Sequence, residues 1–209
     1  MTRSNAPSIA GLYAITPDET DTGKLLTECE SALAGGAKLM QYRNKHVSGE
    51  IAMRQASALV TLCHRYQAQL IINDDVQLAL QLDADGVHLG IDDGDIAAAR
   101  QQLGSEKIIG ASCYNNLVLA RQAARLGADY IAFGACFPST TKPDAPRAEL
   151  TLFNAAHELN LPIVAIGGIT LENASNIIAA GADAIAVIGA LWNTTDITAR
   201  VRQFNQLFS

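Results

Sequence analysis

Short apolar runs alternate with longer segments of helical period from one end of the chain to the other. Eight runs read as strands: GLYAI (11–15), KLMQY (38–42), QLIIN (69–73), DGVHL (85–89), KIIGAS (107–112), DYIAFG (129–134), PIVAIG (162–167) and AIAVIG (184–189). Between the second and third, Ala52, Ala56, Leu59, Cys63 and Tyr66 recur at helical spacing on one stripe. Most strands are continuously apolar rather than alternating, as parallel strands covered on both faces are. Eight βα units in a chain of 209 residues predict a small (β/α)8 TIM barrel, a single α/β domain over 1–209.

A weak internal repeat supports that count. GAK (36–38), DAD (83–85), GAD (127–129) and GAD (181–183) each stand directly before a strand, two βα units apart, so one helix-to-strand turn recurs before every even-numbered strand. The rival, a doubly wound open sheet, lacks its G-x-G-x-x-G fingerprint after the first strand. There is no linker, low-complexity tract or second domain.

Composition narrows the class. The chain is 49% hydrophobic and 17% charged, too apolar for disorder, and its net charge of −6 argues against nucleic acid or an anionic membrane as partner. No apolar stretch approaches the roughly 20 residues of a membrane span, and MTRSNAPSIAG lacks the apolar core of a secretory signal. Cys29, Cys63, Cys113 and Cys136 are scattered without paired spacing and read as structural thiols of a cytoplasmic protein.

In a barrel of this kind, sites are built at the carboxyl ends of the strands. Those ends carry TPD, QYRNK, NDD, HLGIDD, GASCYN, GACFPSTTKPDAPRA, GGIT and IGALWN, whereas the turns on the other rim are bland. Gly167, Gly168 and Thr170 after the seventh strand, with Gly189 after the eighth, form a phosphate cradle in which backbone N–H groups can approach an anion. Asp74, Asp75, Asp92, Asp93 and Asp95 lie on adjacent strand ends, where two can converge on one Mg²⁺ while Asp75 and Asp95 cap helices. Arg43, Lys45 and Lys142 supply counter-charge for a diphosphate, and Ser112, Ser139, Thr140 and Thr141 supply hydroxyls. His88, inside a strand, reads as a packed residue; His46 and His64 read as exposed.

Taken in register, QYRNK, NDD, DGVHLGIDD, FPSTTK, IGGIT and VIGAL resemble the thiamine-phosphate synthase family over nearly the full length. The resemblance implies a transferase on a (β/α)8 barrel. It would join 4-amino-5-hydroxymethyl-2-methylpyrimidine diphosphate to 4-methyl-5-hydroxyethylthiazole phosphate, or its carboxylated form, and release diphosphate. It assigns Gln41, Arg43 and Lys45, within the segment that also holds Tyr42 and Asn44, to the pyrimidine diphosphate, together with Asn73, Ser112 and Lys142. Among these, Arg43, Lys45, Ser112 and Lys142 are the catalytic set. Asp74 and Asp93 match the ligands of Mg²⁺, the implied cofactor; Ser139, Thr140, Thr141, Gly168, Ile188 and Gly189 match the thiazole phosphate site. The chain departs from the family pattern at Ser139, Gly189, Ile91 and Tyr114, where Thr, Ser, Gln and His are common. PSTTKPDAPRA is the candidate lid, the partners are small molecules, and a homo-oligomer is compatible with this reading. The alternatives are a thiazole tautomerase-like isomerase, which would want an acid/base group where Tyr114 stands, and a non-catalytic phosphate-binding regulator, which has no use for paired metal carboxylates.

Overall fold

A computed structural model of the protein describes residues 9–138 and 148–208. Eight parallel strands close into one barrel in sequence order, each pairing with its chain neighbours and the first with the eighth. They are β1 (Gly11–Ile15), β2 (Leu39–Tyr42), β3 (Gln69–Asn73), β4 (Gly86–Leu89), β5 (Ile108–Tyr114), β6 (Tyr130–Phe133), β7 (Ile163–Ile166) and β8 (Ala184–Val187). The helices outside are α1 (Thr22–Ala34), α2 (Gly49–Arg65), α3 (Val76–Gln81), α4 (Ile96–Leu103), α5 (Leu117–Leu126), α6 (Leu150–Ala156), α7 (Ala174–Ala179), α8 (Gly189–Trp192) and α9 (Ile197–Asn205). The predicted runs match these strands to within a few residues. The largest difference is β5, which continues past Ser112 through a register shift to Tyr114.

Alternation along the strands builds two apolar layers. Inward positions such as Tyr13, Ile15, Leu39, Ile71, Ile108, Tyr130, Val164 and Ala186 fill the barrel axis. Their neighbours, among them Leu12, Met40, Tyr42, Ile72, Val87 and Ile131, pack outward under the helices. One inward position is empty by necessity. A Cβ on Gly110 would lie 2.0 Å from Tyr130 Cζ, so the Tyr130 ring occupies the space that β5 leaves open. The four cysteines are free and buried, and burial pushes the thiols of Cys63, Cys113 and Cys136 up to about 12. They are packing residues.

The recurring tripeptide has a physical cause. Gly36, Asp83, Gly127 and Gly181 all adopt positive φ, ending the preceding helix in a left-handed residue. The following alanine is buried each time and its N–H closes back on the helix: Ala37 to Ala32 O, Ala84 to Ala79 O, Ala128 to Ala123 O, and Ala182 to Ile177 O. The third residue then acts across the sheet. Asp85 accepts the N–H of Leu70 (2.7 Å), Asp129 that of Ile109 (2.8 Å) and Asp183 that of Ile163 (2.7 Å). Each carboxylate thereby satisfies a backbone donor on the strand before its own. In the first turn Lys38 cannot accept, and its ammonium donates instead to Tyr66 O (2.9 Å). Among the described residues no helix is long and apolar enough to cross a membrane.

Candidate active site

The carboxyl rim gathers most of the candidates named from sequence. Asp75 and Asp95 separate at once from the other carboxylates. They cap α3 and α4, accepting the N–H of Leu78 (2.8 Å) and Ala98 (2.7 Å). Asp74, Asp92 and Asp93 remain, and Asp92 is exposed on the turn after β4, which leaves Asp74 and Asp93 as the pair. Asp74 sits in the left-handed region (φ +65°), its N–H held by His88 O at 2.8 Å. Asp93 folds back over its own turn to accept the N–H of Gly90 (3.0 Å). A Cβ at 90 would lie 2.3 Å from Asp93 Oδ2, so a side chain there would push the Asp93 carboxylate off this turn.

Asp74 and Asp93 interact directly, which orders the electrostatics of the rim. Burial first, then the charge of Asp93 beside it, push the Asp74 carboxyl up to about 6; Lys45 and Arg43 pull it down. Asp74 therefore feels all three of the other charged groups. A half-buried carboxyl raised in this way, with a second carboxylate against it, calls for a proton or a cation. Their donor set, hard oxygens with no cluster of three ligating side chains among the described residues, fits Mg²⁺, which takes one or two carboxylates and completes its shell with water and phosphate.

Beneath the rim runs a polar chain inside the barrel. Gln41 Nε2 donates to the Tyr13 hydroxyl (3.0 Å), which contacts the Tyr130 hydroxyl at 2.9 Å. Tyr130 meets His88 Nδ1 at 2.9 Å, and His88 Nε2 meets Ser112 Oγ at 2.9 Å. Burial pushes His88 down to about 4, so its imidazole is neutral at pH 7. With Gln41 as donor and a neutral imidazole, one consistent arrangement gives every buried hydrogen of the chain an acceptor. Tyr13 already accepts from Gln41, so its hydrogen goes to Tyr130, whose own hydrogen goes to His88 Nδ1. The single imidazole hydrogen then sits on Nε2 and is donated to Ser112. Ser112 is left with a hydroxyl hydrogen to give to a ligand at the rim.

The segment Gln41–Lys45 divides by direction. Gln41 points into the barrel, while Tyr42 belongs to the outer layer, its hydroxyl donating to Gln55 Oε1 (3.0 Å). The Asn44 amide donates to Glu19 O (2.6 Å) and to Gln55 Oε1 (3.1 Å). What Tyr42 and Asn44 can offer a ligand is therefore their backbone. Arg43 bonds Asp18, and the Lys45 side chain is exposed. Asn73 occupies the inward position after Ile71 at the end of β3.

At the opposite side of the rim, Asn173 pins the loop after β7, donating to Gly168 O and accepting the N–H of Thr170, both at 2.9 Å. Among the described residues the N–H groups of Gly168 and Gly189 meet no acceptor. Ile188 packs against the inner layer beside Gly189. Ile91 and Tyr114 are both exposed at the rim. Ser139, Thr140, Thr141, Lys142 and nearly all of the candidate lid lie outside the described residues.

Sequence reasoning missed Asp18 and Gln55, and it took His88 only as packing. Period-2 alternation was the available signal for His88, since it shares the inward face of β4 with Gly86. The fully buried Gln55, a polar residue on the apolar stripe of α2, was the signal for a bridged loop.

Comparison with known proteins gives the family and agrees on the fold. Residues 12–191 match the family model described as thiamine monophosphate synthase. The thiamine-phosphate synthase of Methylobacillus flagellatus is 73% identical, with 100% of each chain covered. That of Chromobacterium violaceum is 53% identical over 94% of this chain and 95% of its own. Among solved structures, the thiamine phosphate pyrophosphorylase of Pyrococcus furiosus superposes with a TM-score of 0.85 at 33% identity, covering 96% of both chains. The chain belongs to the thiamine monophosphate synthase family.

Proposed function

We propose that the chain performs the thiamine-phosphate synthase reaction at this rim by a dissociative substitution. The pyrimidine diphosphate is gripped by Arg43 and Lys45, with Gln41, Asn73 and Ser112 below it; Lys142 is assigned to the same group on sequence alone. The thiazole phosphate rests on the Gly168 and Gly189 backbone, with Ser139, Thr140 and Thr141 as its sequence-assigned partners. Asp74 and Asp93 would hold Mg²⁺, which supplies Lewis-acid stabilisation of a departing diphosphate.

In this reading the C–O bond breaks with both electrons leaving on the diphosphate, and the amino-pyrimidine stabilises the methylene cation that remains. The thiazole nitrogen then donates its lone pair to that carbon. The cations of the rim neutralise charge as it grows on the leaving oxygen, and Ser112 donates its free hydrogen. No side chain needs to act as nucleophile or strong base, in keeping with a site whose histidine is buried and neutral.

The observation that carries this reading is the convergence of Asp93, Arg43 and Lys45 within electrostatic reach of Asp74 on one rim. The test is diphosphate release from both substrates with Mg²⁺. Wild-type protein is expected to turn over, and Arg43→Ala to lose about 10²-fold or more in kcat, the usual effect of deleting one such contact. Absence of diphosphate release by the wild type, or near-normal kcat in Arg43→Ala, refutes it.

A further inference from the structure

We propose that Asp18, in the loop after β1, is a positioning residue for the diphosphate grip and acts through Arg43; the inference rests on the function proposed above. Three acids follow one another in PDETD, and two of them have local work. Asp21 caps α1, accepting from Gly23 (2.8 Å) and Lys24 (3.1 Å). Glu19 accepts the N–H of Asp21 and pairs with Lys24 at 2.6 Å.

Asp18 does neither. Both of its partners lie on the other loop: Arg43 Nη1 at 3.2 and 3.3 Å from the two carboxylate oxygens, and the Lys45 backbone N–H at 2.7 Å. One carboxylate thus fixes the side chain of the first cation and the backbone of the second.

The rest of the frame makes that attachment rigid. The buried Thr16 hydroxyl donates to Arg43 O (2.8 Å) and accepts from Arg43 N (2.9 Å). Fully buried Gln55 joins the same two loops, donating to Glu19 O (3.0 Å) while accepting from Tyr42 and Asn44. Each end of the cationic segment is tied to the β1 loop, and among the described residues Asp18 is the one tie that reaches a charged group.

Its geometry suits a grip that must still accept a ligand. Only Nη1 of Arg43 is taken, so among the described residues Nε and Nη2 remain for a planar, two-point contact with phosphate. A diphosphate then meets a guanidinium whose ordering cost has already been met in folding. The carboxylate also repels that diphosphate. Asp18 should therefore lower ground-state affinity for the anion while raising turnover.

The test is a double-mutant cycle of Asp18→Asn and Arg43→Ala. Its readouts are kcat and KM for the pyrimidine diphosphate, the Kd of inorganic diphosphate with Mg²⁺ by calorimetry, and Tm. Asn keeps an acceptor for the Lys45 N–H and removes only the charge. Expected are an approximately tenfold fall in kcat, an unchanged or tighter Kd for inorganic diphosphate, an unmoved Tm, and less than a twofold further loss when Asp18→Asn is added to Arg43→Ala.

Wild-type kcat in Asp18→Asn overturns the proposal, as does a loss fully additive with Arg43→Ala or one that tracks a fall in Tm. Inactivity of the wild type sinks the functional reading and this inference with it, whereas an active wild type with no coupling sinks the inference alone.

Discussion

Asp74→Asn separates what the acidic pair does for function from what it does to stability. In the folded chain the Asp74 carboxyl is raised from 3.8 to about 6, by burial first and by Asp93 second. A carboxyl raised on folding favours the folded state while protonated. That contribution is complete below the unfolded value and is lost as pH rises through about 6. At about 1.4 kcal/mol per pH unit the bare shift corresponds to roughly 3 kcal/mol. Asp74 is only half-buried, and solvent screening brings this to about 1–2 kcal/mol.

Asparagine removes the charge, keeps the size, and tolerates the left-handed backbone at this position. Without metal, Asp74→Asn should therefore be more stable than wild type by about 1–2 kcal/mol at pH 8, with the difference shrinking to zero near pH 4. Mg²⁺ at 100 times its Kd should stabilise the wild type by about 2.7 kcal/mol and the variant by much less, reversing the order. Urea unfolding at pH 4, 6 and 8, in EDTA and in Mg²⁺, measures all of it. A variant less stable than wild type in EDTA at pH 8, or an equal Mg²⁺ shift in both, refutes the reasoning.

The other two predictions concern the barrel interior and the lower rim. His88 is depressed from 6.5 to about 4 by burial, so the stability it contributes is present above about 6.5 and lost as pH falls through 4; His88→Gln should gain up to about 3 kcal/mol on wild type across that window in the same urea titrations. Asp183→Ala should cost about 1–2 kcal/mol by orphaning the Ile163 N–H, while Asp183→Asn, which keeps an acceptor, should stay within a few tenths; matched thermal melts decide it.

The fold was legible because its signals are local. A run of β-branched and aromatic residues marks a strand whatever surrounds it, and the left-handed Gly or Asp before Ala37, Ala84, Ala128 and Ala182 is a one-residue requirement written directly in the chain. The functional rim was legible for a related reason, since charges crowd the carboxyl ends of the first four strands and glycines those of the last two. What lay beyond reach were pairings set by closure of the barrel. Tyr13 and Tyr130 are 117 residues apart and meet only because β6 leans its ring over Gly110. Arg43 meets Asp18 across 25 residues, with the whole of α1 between them. Neither spacing carries a pattern that a sequence window can catch. The direction of Tyr42 was recoverable in principle, because it alternates with Gln41 and only one of the two can face the axis.

The carboxylates of the two rims show how structure and function divide one residue type. At the lower rim Asp85, Asp129 and Asp183 each accept a backbone N–H from the neighbouring strand, and Asp129 also pairs with Arg100. At the upper rim Asp75 and Asp95 are taken up by helix caps, and Asp18 by the loop that carries Arg43. Asp93 gives one oxygen to Gly90 and keeps the other, and Asp74 has chiefly Asp93 to turn to. A buried or half-buried acid that the backbone does not need is costly to keep ionised. The chain keeps one such acid, Asp74, against the exposed Asp93, with Arg43 and Lys45 within electrostatic reach. That cost is repaid only when a cation arrives, and the anion best suited to follow it is one that can bind the metal and both basic side chains together.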